Sequence, residues 1–169
     1  VSTADDQGYY SANSNSATRT NSLVKNTPIT LSVINEELLN DLDIQSSQDL
    51  ASVIAGIDTD PDGYSFDQIR IRGFRTSNAT FESFPRNLAR DNYNVNRIDV
   101  IKGANSLIFG QASPGGTVNT IPQVANFHKN TQSLTYTYGN KDYNRTQFLI
   151  NEKISDKLAI KLMGVDSAQ

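Results

Sequence analysis

Asp58, Asp60 and Asp62, each one residue apart and followed by Gly63, have the opening spacing of a calcium-binding loop. Such a loop closes on a bidentate glutamate at its twelfth position. Here that position is Ile69, and Pro61 interrupts the run, so residues 58–65 read as turn chemistry. His128 is the single histidine and there is no cysteine. A nucleophilic triad or a zinc centre needs partners that one imidazole in a polar linker lacks. Without thiols there is neither a disulfide nor a thiolate ligand. Asn78-Ala79-Thr80 and Asn144-Arg145-Thr146 fit the glycosylation triplet, a pattern short enough to arise by chance. The residues therefore point away from an enzyme, and no metal or cofactor is expected. A net charge of −3 gives no basic surface for nucleic acid.

The elements that would position the remaining side chains change character along the chain. Hydrophobic residues are 37% of the 169, enough for a modest core. No stretch approaches the roughly 20 apolar residues of a membrane helix, a test that barrel strands escape. Residues 1–25 are rich in Ser, Asn, Thr and Ala and read as a flexible tether. Ile29, Leu31 and Val33 alternate with polar neighbours as a strand. Asn35 is placed to cap a short helix that begins with Glu36 and Glu37. Ser46 and Asp49 form a shortened capping box. It precedes a second helix with Leu50, Val53, Ile54 and Ile57 on one stripe, which Gly56 would stop. Gln68-Ile69-Arg70-Ile71-Arg72 alternates as a strand ending at Gly73, and residues 75–94 read as loops around a short strand or turn. Residues 97–102 form another strand ending at Gly103, and Pro114-Gly115-Gly116 a tight turn before a short strand over 118–121. Beyond residue 123, Leu134, Tyr136 and Tyr138, then Thr146, Phe148 and Ile150, then Leu158, Ile160 and Leu162 each alternate with their neighbours. Turns are expected at 139–142 and 153–156. This is an up-and-down antiparallel meander with one apolar face, and left open it has two unpaired edges.

Several blocks in fixed order carry a resemblance. Ile69-Arg70-Ile71-Arg72-Gly73-Phe74 is followed, about 25 residues on, by Arg97-Ile98-Asp99-Val100-Ile101-Lys102-Gly103-Ala104 and Phe109-Gly110, and then by Ser113-Pro114-Gly115-Gly116-Thr117-Val118-Asn119. Thr27-Pro28-Ile29-Thr30-Leu31 opens the series. The chain resembles the plug of TonB-dependent outer-membrane receptors, nearest the siderophore-receptor branch, with the last 40 residues similar to the first barrel strands. Asp99, Lys102 and Ala104 stand where that family more often has Glu, Arg and Pro. Lysine lacks the bidentate fork of arginine, which weakens a lock to a barrel carboxylate.

The resemblance implies an α+β plug domain, a small mixed sheet with short helices, followed by an incomplete antiparallel β meander from a transmembrane β-barrel. Its boundaries fall at 1–25 for the tether, 26–125 for the plug and 126–169 for the first barrel strands. It implies active transport across the outer membrane of a Gram-negative bacterium, most simply of a ferric siderophore, with the plug in the barrel lumen and the N-terminus periplasmic. Partners implied are TonB, through a segment at or before the N-terminus, the ferric siderophore or a similar chelate, and the remainder of the barrel. Transport of cobalamin, a glycan or another metal chelate stays open, as does a stand-alone periplasmic binding or signalling module. Substrate would meet the outward loops, where Arg75, Arg86 and Arg90 suit an anionic ligand and Tyr64, Phe81, Phe84 and Tyr93 a flat or apolar one. Arg70, Arg72, Asp99 and Lys102 are the charges expected where plug and barrel touch. Each of these residues also has an ordinary reading, as a solvated strand charge or a loop side chain.

Overall fold

The computed structural model describes residues 8–14, 16, 22–60, 68–76, 79–85, 91–103 and 113–168. The chain divides into two compact units, Val1–Pro122 and Gln123–Gln169.

The first unit begins with β1 (Asn13–Ser14), which pairs antiparallel with β2 (Ser22–Leu23). Then come β3 (Thr30–Asn35) and α1 (Glu36–Asp41), and the cap between them is the expected one. The Asn35 carboxamide accepts from the backbone N–H of Leu38 at 3.1 Å, and Glu36 and Glu37 occupy the positive end of the helix. α2 (Leu50–Val53) is shorter than its apolar stripe suggests. Asp49 Oδ2 accepts from the Ser46 N–H at 2.8 Å and the Ser46 hydroxyl at 3.0 Å, but Ile54 is already extended. Ile54 and Ile57 are still buried, as core residues of the turn and of β4 (Ile57–Thr59). β5 (Ile69–Ile71) and β6 (Phe74–Arg75) complete a three-stranded sheet with β4, in the order β4-β5-β6.

The expected run of loops between residues 75 and 94 contains a small hairpin, β7 (Thr80–Phe81) and β8 (Phe84–Pro85), and a 3-10 turn over Asn92–Asn94. β9 (Val95–Lys102) and β10 (Gly116–Pro122) then complete a five-stranded mixed sheet of order β3-β9-β10-β7-β8, in which only β7 and β10 run parallel. β9, its longest strand, lies between β3 and β10 and is buried along nearly its whole length. One face of this sheet, with Ile34, Ile98, Val100 and Val118, joins Leu39, Leu50, Ile69 and Ile71 in the apolar core. Each such side chain contributes about 1.5–3 kcal/mol by leaving water.

The second unit is an antiparallel meander of β11 (Thr131–Tyr138), β12 (Asn144–Ser155) and β13 (Leu158–Ala168). β12 runs three residues into the turn expected at 153–156, to Ser155, through a register shift between Lys153 and Ser155. Asn151, in β12, is a clasp on the segment that leads into β11. Its amide donates to the carbonyls of Asn126 at 3.0 Å and Lys129 at 2.7 Å, and its oxygen accepts from the Asn126 N–H at 2.7 Å. His128 is exposed in this loop.

Candidate functional site

Residues alternate across a strand, so β9 sends Arg97 and Asp99 to the face opposite Ile98 and Val100. The register sets Asn35 beside Arg97 on one side and Asn119 beside Asp99 on the other, making a polar row. Arg97 is 2% exposed and Asp99 is fully buried. Arg97 Nε lies 3.2 Å from Asp99 Oδ1. Burying such a pair demands further hydrogen bonds, because desolvation removes the water that would otherwise serve it.

Part of that demand is met by the N-terminal segment. Arg97 Nη1 donates to the Asn13 carbonyl at 2.9 Å, and the Ser14 hydroxyl donates to Asp99 Oδ2 at 2.7 Å. Asn119 Nδ2 donates to Ser16 Oγ at 2.8 Å, and Asn35 Nδ2 to the Gly8 carbonyl at 2.6 Å. The Tyr9 hydroxyl donates to Asp41 at 2.6 Å, which raises its pKa. Within the span expected to be a flexible tether, residues 8–14 and 16 thus make defined hydrogen bonds to the sheet and to α1. Ser11, Ser14 and Ser16 are buried, because their small polar side chains fit a polar sheet face that composition alone does not reveal. Asp99 has no exposed surface, and its carboxylate faces Arg97 and Ser14.

A second cluster sits on the three-stranded sheet. Arg70 and Arg75 are register partners on β5 and β6, and both turn to the buried Asp60 just beyond β4. Arg70 Nη2 approaches Asp60 Oδ1 at 3.0 Å; Arg75 donates to the same oxygen through Nη2 at 3.2 Å and pairs with Oδ2 through Nε. The hydrogen bond from Arg75, reinforced by Arg70, holds the Asp60 carboxyl below its usual range against the opposing effect of burial. Asp60, read from sequence as a turn residue, is therefore the shared counter-charge of two arginines. Arg70 is turned inward by it, while Arg75 keeps half of its side chain exposed. Arg72 is exposed in the β5–β6 turn with a left-handed φ of 53°, and Lys102 Nζ donates to the Ala55 carbonyl at 2.7 Å.

The described aromatic candidates lie elsewhere. Phe81 and Phe84 are register partners in the β7–β8 hairpin, Phe84 being 75% exposed. Tyr93, half-buried, is in the 3-10 turn before β9, which Asp91 caps and Asn92 ties to the Gln45 carbonyl at 3.0 Å. The candidates thus fall on two sheets and one turn. Tyr64, Arg86 and Arg90 lie outside the described residues.

In the second unit, cross-strand register aligns Leu134 with Phe148, Phe148 with Gly164, and Ile150 with Leu162 on one face. Leu134, Tyr136, Tyr138, Phe148, Ile150, Ile160 and Leu162 are all exposed there. The other face carries Thr135, Arg145, Gln147 and Asn151 together with Leu149, Met163 and Val165, by the same alternation. Apolar-out alternation over strands of twelve and eleven residues has the dimensions of outer-membrane barrel strands.

Arg97, Asn35, Asn119 and the serines of the N-terminal segment were not site candidates on sequence. The available signal was the pair of opposite charges at 97 and 99, two apart and hence on one face of a strand rich in isoleucine and valine.

The profile of the TonB-dependent receptor plug domain matches residues 23–117. Among curated proteins, the ferric-pyoverdine BN7/BN8 receptor of Pseudomonas putida is 28% identical over 163 residues, 92% of this chain and 20% of that protein. The ferrioxamine receptor of Yersinia enterocolitica is 28% identical over 171 residues, 94% of this chain and 24% of that protein. The chain therefore spans about a fifth to a quarter of the length of these relatives. Among solved structures, the pyoverdine outer-membrane receptor FpvA of Pseudomonas aeruginosa superposes with a TM-score of 0.82 at 22% identity, covering 98% of this chain and 25% of that one. The alcaligin outer-membrane receptor FauA of Bordetella pertussis also gives 0.82, at 19% identity, covering 95% and 30%. At these identities the superpositions establish a shared fold.

Proposed function

From the premise that this chain belongs to the TonB-dependent receptor plug domain family, we propose that it is the plug and first barrel strands of an outer-membrane active transporter for a ferric siderophore. The observation that carries the reading is the passage, within one chain, from a folded plug unit to a meander whose one face exposes Leu134, Tyr136, Tyr138, Phe148, Ile150, Ile160 and Leu162. A face of that kind suits lipid, and an opposite face that carries Arg145, Gln147 and Asn151 suits a lumen. The relatives support the cargo, since they include receptors for ferric pyoverdine and ferrioxamine and a catecholate siderophore receptor of Escherichia coli. A metal-pseudopaline receptor of Pseudomonas aeruginosa, 29% identical over 165 residues, favours a second reading in which the cargo is another metal chelate.

In this reading the plug occludes the barrel of a Gram-negative outer membrane, with its N-terminus on the periplasmic side. TonB engages a segment at or before that end, where strand addition gives a mechanical link through backbone hydrogen bonds. Arg75, Arg86 and Arg90 supply positive charge to an anionic chelate, and Tyr64, Phe81, Phe84 and Tyr93 supply flat apolar surface. Arg72 and Lys102 remain the charges that face the barrel wall. Arg75 brings its charge already oriented by Asp60, so it can offer a chelate its exposed edge without first being ordered.

The test is made on the complete receptor. Cells that depend on it are given radiolabelled ferric hydroxamates, ferric catecholates and ferric pyoverdine-type chelates, with zinc and nickel chelates beside them. Accumulation of a ferric chelate that requires TonB is expected. Replacing Arg75, Arg86 and Arg90 together with alanine should weaken binding of that chelate by about tenfold or more. Uptake confined to zinc or nickel chelates would move the assignment to the second reading. Unchanged affinity in the triple variant would remove these arginines from the site.

A further inference from the structure

The hairpin of β7 and β8 turns on Glu82 and Ser83, and both have left-handed backbone, with φ of 50° and 71°. A two-residue turn with both centres left-handed matches the twist of paired strands, and Asn-Gly or Gly-Gly adopts it most readily. Glutamate and serine carry a Cβ and lack that ease, so the turn is strained as an isolated piece. Strain of this sort persists only where the surroundings over-determine it. The surroundings here are two residues of β10. The Glu82 N–H donates to the Thr120 carbonyl at 3.0 Å, and the Ser83 N–H donates to Asn119 Oδ1 at 2.9 Å.

Asn119 supplies the side chain in that hold. It is buried, and its Oδ1 also accepts from the Thr80 hydroxyl at 2.8 Å, while its Nδ2 donates to Ser16 Oγ at 2.8 Å. With both ends of the carboxamide engaged, the oxygen is fixed in place. Thr80, itself buried, is the register partner of Asn119 in the parallel pair of β7 and β10. Side chains alternate along a strand, so Thr80 faces Asn119 while Phe81 stands on the other side of the hairpin with its partner Phe84. Phe84 is exposed, on the edge strand of the sheet, and Phe81 is half-buried beside it. Cross-strand partners stand about 4.5–5.5 Å apart at Cβ, close enough for two rings to form one surface.

We propose that Asn119 is a positioning residue for the chelate site: by holding the strained turn at Glu82 and Ser83, it sets Phe81 and Phe84 as a fixed platform for a ferric chelate that exposes an aromatic ring. This role rests on the transport reading and narrows its cargo. Two rings so placed take a flat aromatic group by offset stacking or edge-to-face contact, and an aliphatic hydroxamate has no such face. A platform fixed before the cargo arrives also spares binding the ordering of a mobile hairpin.

Equilibrium binding to the complete receptor in detergent tests it, with the ferric complexes of a tricatecholate and of an aliphatic trihydroxamate as probes. Asn119→Ala should weaken tricatecholate binding by about tenfold or more, as should Phe84→Ala, and any trihydroxamate binding should stay within about twofold. Adding Glu82→Asn/Ser83→Gly, a turn that adopts the left-handed pair unaided, to Asn119→Ala should restore the tricatecholate affinity. An unchanged tricatecholate affinity in Asn119→Ala, or a loss that the Asn-Gly turn does not repair, would overturn the positioning role. Equal losses for both chelates, or wild-type binding of the trihydroxamate alone, would overturn the aromatic platform. If Asn119→Ala does not assemble, Asn119→Ser, whose hydroxyl stops one bond short of the carboxamide oxygen, is judged by the same criteria. A wild type that binds neither probe counts against transport of ferric chelates, and amide exchange over residues 79–85 then decides the hold on the turn. That exchange should rise by about tenfold or more in Asn119→Ala and fall back with the Asn-Gly turn; no rise would overturn the hold.

Discussion

Removing the Asp60 carboxylate would leave Arg70 and Arg75 side by side on paired strands with their common counter-charge gone. Asp60→Asn should therefore loosen β4, β5 and β6, seen as faster amide exchange over residues 57–60 and 68–76. Arg70→Lys, which leaves Arg75 in place, should have a smaller effect. The same carboxylate gives a pH dependence whose sign is fixed. Its pKa is lower folded than unfolded, so the stability it contributes is complete above the unfolded value of about 3.9 and is lost as pH falls through the folded value. Acid unfolding of the receptor's plug below about pH 4 should be correspondingly less steep in Asp60→Asn. The Asn35 cap and the reach of Asp49 back to Ser46 were legible in sequence, because capping is a matter of residues three apart. Asp60, Arg97 and Asp99 were not, since a charge is by default a surface residue and its burial depends on partners far along the chain.

Short elements built around glycine turns make the plug. At Gly116 φ is 140°, and a Cβ there would fall on the Ile101 carbonyl of the neighbouring strand. Gly73 also has positive φ, 82°, but a Cβ there would meet open space. Gly73→Ala should cost about 1–2 kcal/mol from backbone strain alone. Gly116→Ala should cost about 3 kcal/mol or more, because the clash is with backbone of the neighbouring β9. Chemical denaturation of the two variants checks the difference. β9, eight residues long with hydrophobic alternation, was readable. β6, β7 and β8, at two residues each, are too short to express a period and were hidden in what looked like loop. α2 was overestimated for the converse reason, as Ile54 and Ile57 are buried by the sheet rather than by a continuing helix.

For the whole molecule, the alternation of the last 40 residues was the clearest long-range signal, and the structure places its apolar members on one exposed face. Ile150 lies near the middle of β12 on that face. In the transporter reading, Ile150→Arg should lower the stability of the membrane-inserted barrel by about 2–4 kcal/mol, whereas Thr135→Arg on the opposite face should be tolerated. Folding titrations in lipid vesicles would separate them. The clasp made by Asn151 has a mechanical corollary. Pro122 ends β10, and Asn126 is the first residue that Asn151 holds, so the backbone between them reaches about 14 Å at full stretch. While the clasp stays shut, that length is a leash. In the transporter reading, a pull on the opposite end of the plug would carry its last strand no further from Asn126 than that leash allows.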